Sequence, residues 1–135
     1  MSSLLPITPI VFPDTELLIC SYLRTQLPLY GIAGVYVSNQ RQTQPTAVWV
    51  RRDGGGAMDQ VREQPRVGIN CYAPKEQAVT DLARTVSALM VAMPDGKPVV
   101  RVDEVTGPTP IADTSGPRRY LVFELILRGV ELHKS

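Results

Sequence analysis

The chain has little of what most chemistry needs. It has one histidine, His133, almost at the C-terminus, and two cysteines, Cys20 and Cys71, far apart in sequence. A zinc site takes about four ligands at usable spacing, and Cys and His cannot supply them here. Without a C-x-x-C pair or a regular cysteine framework, the two thiols read as reduced core residues. Charge is balanced, 14 basic against 13 acidic residues for a net +1, and it is scattered. That gives no electrostatic case for nucleic acid or a membrane surface. Aromatics are 6% of the chain, which argues against a sheet-based RNA binder. No charge-free apolar run approaches the ~20 residues of a membrane helix. Residues 1–12 are apolar but lack Lys and Arg and are interrupted by Pro6 and Pro9, unlike a secretory signal. The expectation is a soluble protein made in a cytoplasm.

What is present suits one domain: 135 residues, 44% of them apolar. The prolines predict an extended N-terminal arm over residues 1–13, its apolar side chains Leu4, Leu5, Ile7, Ile10 and Val11 lying on the domain or on a neighbour. Asp14 is a good N-cap and Glu16 suits the positive end of a helix dipole. Leu17, Cys20, Leu23 (or Arg24) and Leu27 then recur at helical spacing, and Pro28 and Gly31 end the run. A second helix is expected from about Pro74, at its first position, to Met93. Its apolar stripe would be Ala78, Leu82, Val86, Leu89 and Met93, and its opposite side would carry an Asp81–Arg84 pair worth roughly 0.2–0.5 kcal/mol.

Five strands are expected: Val35–Ser38, Ala47–Arg52, Val67–Tyr72, Val99–Thr106 and Arg119–Arg128. The last alternates most clearly, with Leu121, Phe123, Leu125 and Leu127 on one face and Tyr120, Val122, Glu124, Ile126 and Arg128 on the other. Asp53-Gly54-Gly55-Gly56 reads as a break, opening a flexible loop or wide hairpin to Pro65. Gly107 to Pro117 reads as a long contact loop. The economical packing is α+β, with two helices on one face of a four- to five-stranded, mostly antiparallel or mixed sheet. The other face would bear Arg51, Arg101, Asp103, Glu124 and Arg128.

No nucleophile elbow, P-loop or H-E-x-x-H is present. Asp53 and its glycines precede no convincing helix, so they lack the N-terminus that would hold a phosphate. Asp103 and Glu104 alternate across a strand and cannot act on one bond. His133 is too near the terminus to be held as a general base. The chain therefore reads as no enzyme and as needing no cofactor or metal. The pairs Arg51-Arg52 and Arg118-Arg119 are either solvated strand ends or contacts for acidic partner surfaces or passing DNA. Trp49 reads as packing.

An ordered set of segments resembles the tail terminator proteins of siphophages of actinobacteria. The segments are Leu4 to Glu16, Val48-Trp49-Val50-Arg51-Arg52-Asp53-Gly54-Gly55, Val67 to Ala73 leading into the second helix, Glu104-Val105-Thr106-Gly107-Pro108, and Pro117-Arg118-Arg119-Tyr120 through Leu127-Arg128-Gly129. They span nearly the whole chain. Residues 58–66 depart from the family's pattern by being poor in apolar residues.

The resemblance implies an α+β subunit of a hexameric ring at the head-proximal end of the tail. Such a ring caps the finished tube, stops its polymerisation and joins the head connector, while DNA passes through the lumen without sequence-specific binding. Its partners would be its own copies, the tail tube protein and a head-completion or connector protein. A ring uses two unlike patches per subunit. The sequence pattern, not the family, offers Arg51, Arg52, Asp53, Arg101, Asp103, Arg118, Arg119, Glu124 and Arg128 as candidates. The loops 53–65 and 107–117 would become ordered on docking. Another neck component, such as a stopper protein, or a small ligand-binding regulatory module remain alternatives.

Overall fold

The computed structural model describes residues 8–41, 43–114 and 116–133. Expectations for residues 1–7, and for Ser115 within the segment 107–117, fall outside that range. Nine elements follow in order: β1 (Ile10–Val11), α1 (Thr15–Leu29), β2 (Tyr36–Ser38), β3 (Ala47–Ala57), β4 (Arg62–Tyr72), α2 (Glu76–Val91), β5 (Val99–Pro110), β6 (Arg118–Arg128) and β7 (Val130–Glu131). The α+β class expected from the pattern is the class observed. A five-stranded sheet has the order β2-β3-β4-β6-β5, and β1 and β7 form a separate two-stranded ribbon. Only β2 and β3 run parallel; the other pairs are antiparallel.

Helix α1 starts where the cap places it, with Asp14 Oδ1 accepting from the Leu17 N–H at 3.1 Å. Its buried side is Ile19, Cys20, Leu23 and Leu27, whereas Leu17, expected on the stripe, is 52% exposed. Pro28 sits inside the last turn, and Gly31 beyond it takes φ +81°. Helix α2 is shorter than expected. Lys75 is its N-cap and makes no side-chain cap bond, so Pro74 precedes the helix instead of opening it. Its buried stripe is Val79, Leu82, Ala83, Val86, Leu89 and Met90. Ala78 is exposed, and Met93 is buried beyond the helix end. Asp81 does not pair with Arg84 but accepts from Gln77 Nε2 one turn back, at 2.9 Å.

Both helices pack on one sheet face. There they form a single core with Val48, Val50, Val67, Ile69, Cys71 and the fully buried Leu121, Phe123, Leu125 and Leu127. Full burial of such side chains contributes about 1.5–3 kcal/mol each. Polar ties set the helix positions. The Tyr22 hydroxyl donates to the Leu89 carbonyl at 2.6 Å, joining α1 to α2. Arg24 donates twice to the Val37 carbonyl, at 3.0 and 2.7 Å, joining α1 to β2. Cys20 and Cys71 are free and fully buried in this core, as read from the sequence. Burial pushes their thiols up to about 11 and about 12.

Of the two expected loops, 53–65 is largely strand, whereas 107–117 is strand only as far as Pro110. β3 continues through the glycines to Ala57 and pairs with β4 as far as Ala57↔Glu63, with one register shift between Arg52 and Gly54. That bulge accommodates the run that reads as a break in sequence. The hairpin turns only at residues 58–61, where Asp59 Oδ1 accepts from the N–H of Val61 and Arg62 at 2.9 and 2.8 Å. The Arg62 hydrogen bond is the main cause holding the Asp59 carboxyl below its usual range. The tip residues Met58 to Val61 are all exposed. β5 likewise continues to Pro110, with register shifts on either side of Thr106. The strand portions of both segments pair within one chain, 53–57 and 62–65 in the β3–β4 hairpin and 107–110 at the end of β5.

Candidate assembly surface

Strand alternation turns the remaining side chains to the sheet face that carries no helix. Trp49 pairs with Asn70, and Asn70 with Tyr120, across β3, β4 and β6. Gly68 lies between them and leaves the space Tyr120 needs: a Cβ there would sit 2.6 Å from the Tyr120 hydroxyl and 2.5 Å from Asp53 Oδ2. The Tyr120 hydroxyl donates to Asp53 Oδ2 at 3.1 Å, and Arg51 Nε donates to Asp53 Oδ1 at 2.9 Å. The Arg51 guanidinium also stands 5.4 Å from the Trp49 ring centroid, within cation–π range. Burial, then the Asp53 hydrogen bond and charge, raise the Tyr120 phenol above its ordinary value. Arg51 and Asp53, chosen from sequence, thus belong to one network with Trp49 and Tyr120.

A second network adjoins it. Arg118 Nε and Nη2 both donate to Asn70 Oδ1, at 2.9 and 2.6 Å, and Nη1 pairs with Asp113 at 3.5 Å. Asn70 is only 5% exposed, so this double bond satisfies a buried polar group. Arg41 and Arg118 flank the Tyr72 ring at 4.5 and 5.7 Å. Burial raises the Tyr72 phenol, and the two arginines partly offset that.

At the β5 side, Arg101 and Asp103 form an exposed pair at 2.9 Å. Glu124 stands opposite Asp103 on one flank and Arg66 on the other. Asp103 opposite Glu124 is a like-charge pairing that Arg101 relieves. Arg128 is exposed at the end of β6.

Two of the sequence-chosen residues are not on this face. Arg52 alternates toward the helices. Its N–H donates to Glu16 Oε2 at 2.8 Å beside the bulge, and its Nη1 pairs with Glu63 at 3.2 Å. Arg119 also turns inward, pairing with Glu76 of α2 at 2.5 Å and reaching Thr80 at 3.3 Å. In each basic pair, neighbours on a strand point to opposite faces, so only one of the two can serve a surface. Glu16 stands in the first turn of α1, as read, and also latches α1 to β3.

Sequence reasoning missed Asn70 and Tyr72 as members of the face, and placed Tyr120 on it without choosing it as a contact residue. A single asparagine inside the apolar strand Val67–Tyr72 was the available signal. Among the described residues, no group of three His, Cys, Asp or Glu is placed to hold a metal, and no helix is long and apolar enough to cross a membrane. Compared with protein-family models and with curated protein sequences, the chain matches none.

Proposed function

We propose that the chain is a structural subunit of a virus tail and not an enzyme. In this reading it is a siphophage-type tail terminator, which forms a ring, caps the completed tube and joins it to the head connector. The observation that carries the reading is the ordered resemblance of its segments along nearly the whole chain. Two features of the domain support it. The sheet ends in two unlike edge strands, the three-residue β2 and the twelve-residue β5. Its helix-free face mixes arginines with carboxylates instead of presenting one sign. A head-to-tail ring needs two different, complementary patches per subunit, and unlike edges and mixed charge can supply them.

Within this reading Arg51, Asp53, Arg101, Asp103, Arg118, Glu124 and Arg128 remain candidates for contact with a neighbouring copy or the tube. Arg52 and Arg119 serve inside the subunit. The ring would sit in the virion at the head-proximal end of the tail, with DNA passing through its lumen.

The test adds purified protein to polymerising tail-tube subunits and images the tubes by electron microscopy. A terminator stops elongation and adds density at one tube end. Tubes that keep growing undecorated would remove the terminator role, and binding to connector but not to tube would assign the chain to another neck position.

A further inference from the structure

The ribbon of β1 and β7 has two unlike faces. On one, Ile10 and Phe12 lie against Gly129. A Cβ at Gly129 would sit 2.3 Å from Ile10 Cγ2 and 3.0 Å from the Phe12 ring. That face holds the ribbon to the end of β6. On the other face the cross-strand pair Val11 and Val130 is exposed at 44% and 61%. Leu132, whose N–H donates to the Pro9 carbonyl at 2.8 Å, is 56% exposed. This apolar face continues into a groove of about 620 Å³ lined by Val11, Phe12, Pro98 and Val130. Among the described residues that line it, Lys97 and Arg128 are the charged ones. A contiguous apolar surface of this kind favours an apolar occupant.

The chain carries such a segment next to the ribbon. Residues 1–7 read Met-Ser-Ser-Leu-Leu-Pro-Ile, without one charged side chain. Fully extended they could span about 23–25 Å. Their direction of entry matters. β1 is antiparallel to β7, so the chain comes in at the Leu132 end and runs toward the groove at Val11. Pro9 therefore stands at the Leu132 end of the ribbon, the end away from its own groove.

We propose that residues 1–7 of one copy lie in the groove and along the apolar ribbon face of the next copy, with Leu4, Leu5 and Ile7 covering Val11, Val130 and Leu132. The segment given and the groove received are different patches, so the contact is heterologous and passes from copy to copy. This supplies a contact for the ring proposed above without depending on where in a virion that ring sits.

Disulfide trapping in the full chain tests it. Leu4→Cys, Leu5→Cys and Ile7→Cys are each combined with Val130→Cys. Cys20 and Cys71 are fully buried and leave the introduced pair to react. Under mild oxidation at least one combination gives a ladder of linked multimers on a non-reducing gel, absent from each single-cysteine variant. Bands at monomer position only, whether unlinked or closed within one chain, overturn the proposal. Val130→Asp, at a 61% exposed site that the fold can spare, is the second arm. With an unchanged circular dichroism spectrum it should lose the oligomer in sedimentation, and an unchanged sedimentation coefficient would also overturn the proposal. A ladder from a protein that leaves tail tubes uncapped would keep the arm contact and remove only the terminator role.

Discussion

Gly55→Ala separates two descriptions of residues 53–65 by the sign of its effect. In a flexible loop the substitution would stabilise slightly, by about 0.4–1 kcal/mol, because alanine restricts the unfolded chain. In the hairpin described here it must destabilise. Gly55 has φ +83°, a conformation that costs an L-residue about 1–2 kcal/mol. The added methyl would also stand 2.0 Å from the Gln64 carbonyl oxygen, 2.8 Å from Pro65 Cα and 2.9 Å from the Arg66 nitrogen. All three are backbone atoms and cannot swing aside. The cheapest relief is to open the ladder beyond Arg66, losing the pairings Gly55↔Pro65, Gly56↔Gln64 and Ala57↔Glu63. Net hydrogen-bond contributions are about 0.5–1.5 kcal/mol each, so opening caps the total at roughly 2–4 kcal/mol. That corresponds to a fall in Tm of roughly 10 °C for a domain of this size. Gly54→Ala and Gly56→Ala are the controls. A Cβ at either meets nothing within 4 Å, and both should stay within about 0.5 kcal/mol of the parent. Thermal and urea unfolding read the stability, and amide exchange at Gly56 and Gln64, the bonded pair next to the Met58–Arg62 closure, reads the local opening. A Gly55→Ala protein as stable as the parent, with those amides still protected, would refute the hairpin.

Arg118→Ala leaves the buried Asn70 Oδ1 without its donor and should cost about 1–3 kcal/mol in urea unfolding. In a double-mutant cycle Asn70→Ala should remove most of that cost; strictly additive effects would contradict the pairing. The cysteines give a pH dependence. Their folded pKa values, about 11 and about 12, lie above the ordinary 9.0. The folded state therefore holds its thiol protons longer than the unfolded chain does. The resulting stability is fully present below pH 9 and is lost as pH rises from about 9 toward 12. A thiol reagent at pH 8 should leave both cysteines unmodified in the native protein and label both in urea. Labelling of either in the native state at the unfolded rate would contradict their burial.

The helices and the inner face of the sheet were legible because burial there follows a simple period. Leu121, Phe123, Leu125 and Leu127 alternate in sequence and are all fully buried, and Asp14 caps α1 where a capping residue should. The strand ends were not legible, for a physical reason. Gly54-Gly55-Gly56 and Gly107-Pro108-Thr109-Pro110 have the local chemistry of turns, and propensity carries no knowledge of a partner strand. A neighbouring ladder with bulges overrides it. Helix faces were displaced by a residue or two where the tertiary neighbour, not the period, chose the side. Leu17 and Ala78 fell outside, while Ile19 and Val79 came in.

The amino-acid sequence by itself determined the α+β class, with a core built from two helices and alternating strands. It also determined the cap of α1 and the buried thiols, since both depend on residue type and near-neighbour spacing. Only the tertiary structure decided which charges share a surface. Arg51 and Arg118 join Asp53, Asn70 and Tyr120 on the helix-free face, while their neighbours Arg52 and Arg119 turn inward to Glu63 and Glu76. Such groupings join residues as far apart in the chain as Asp53 and Tyr120. Strand register, bulges and the close approach at Gly68 bring them together, and none of these is a local property of the sequence.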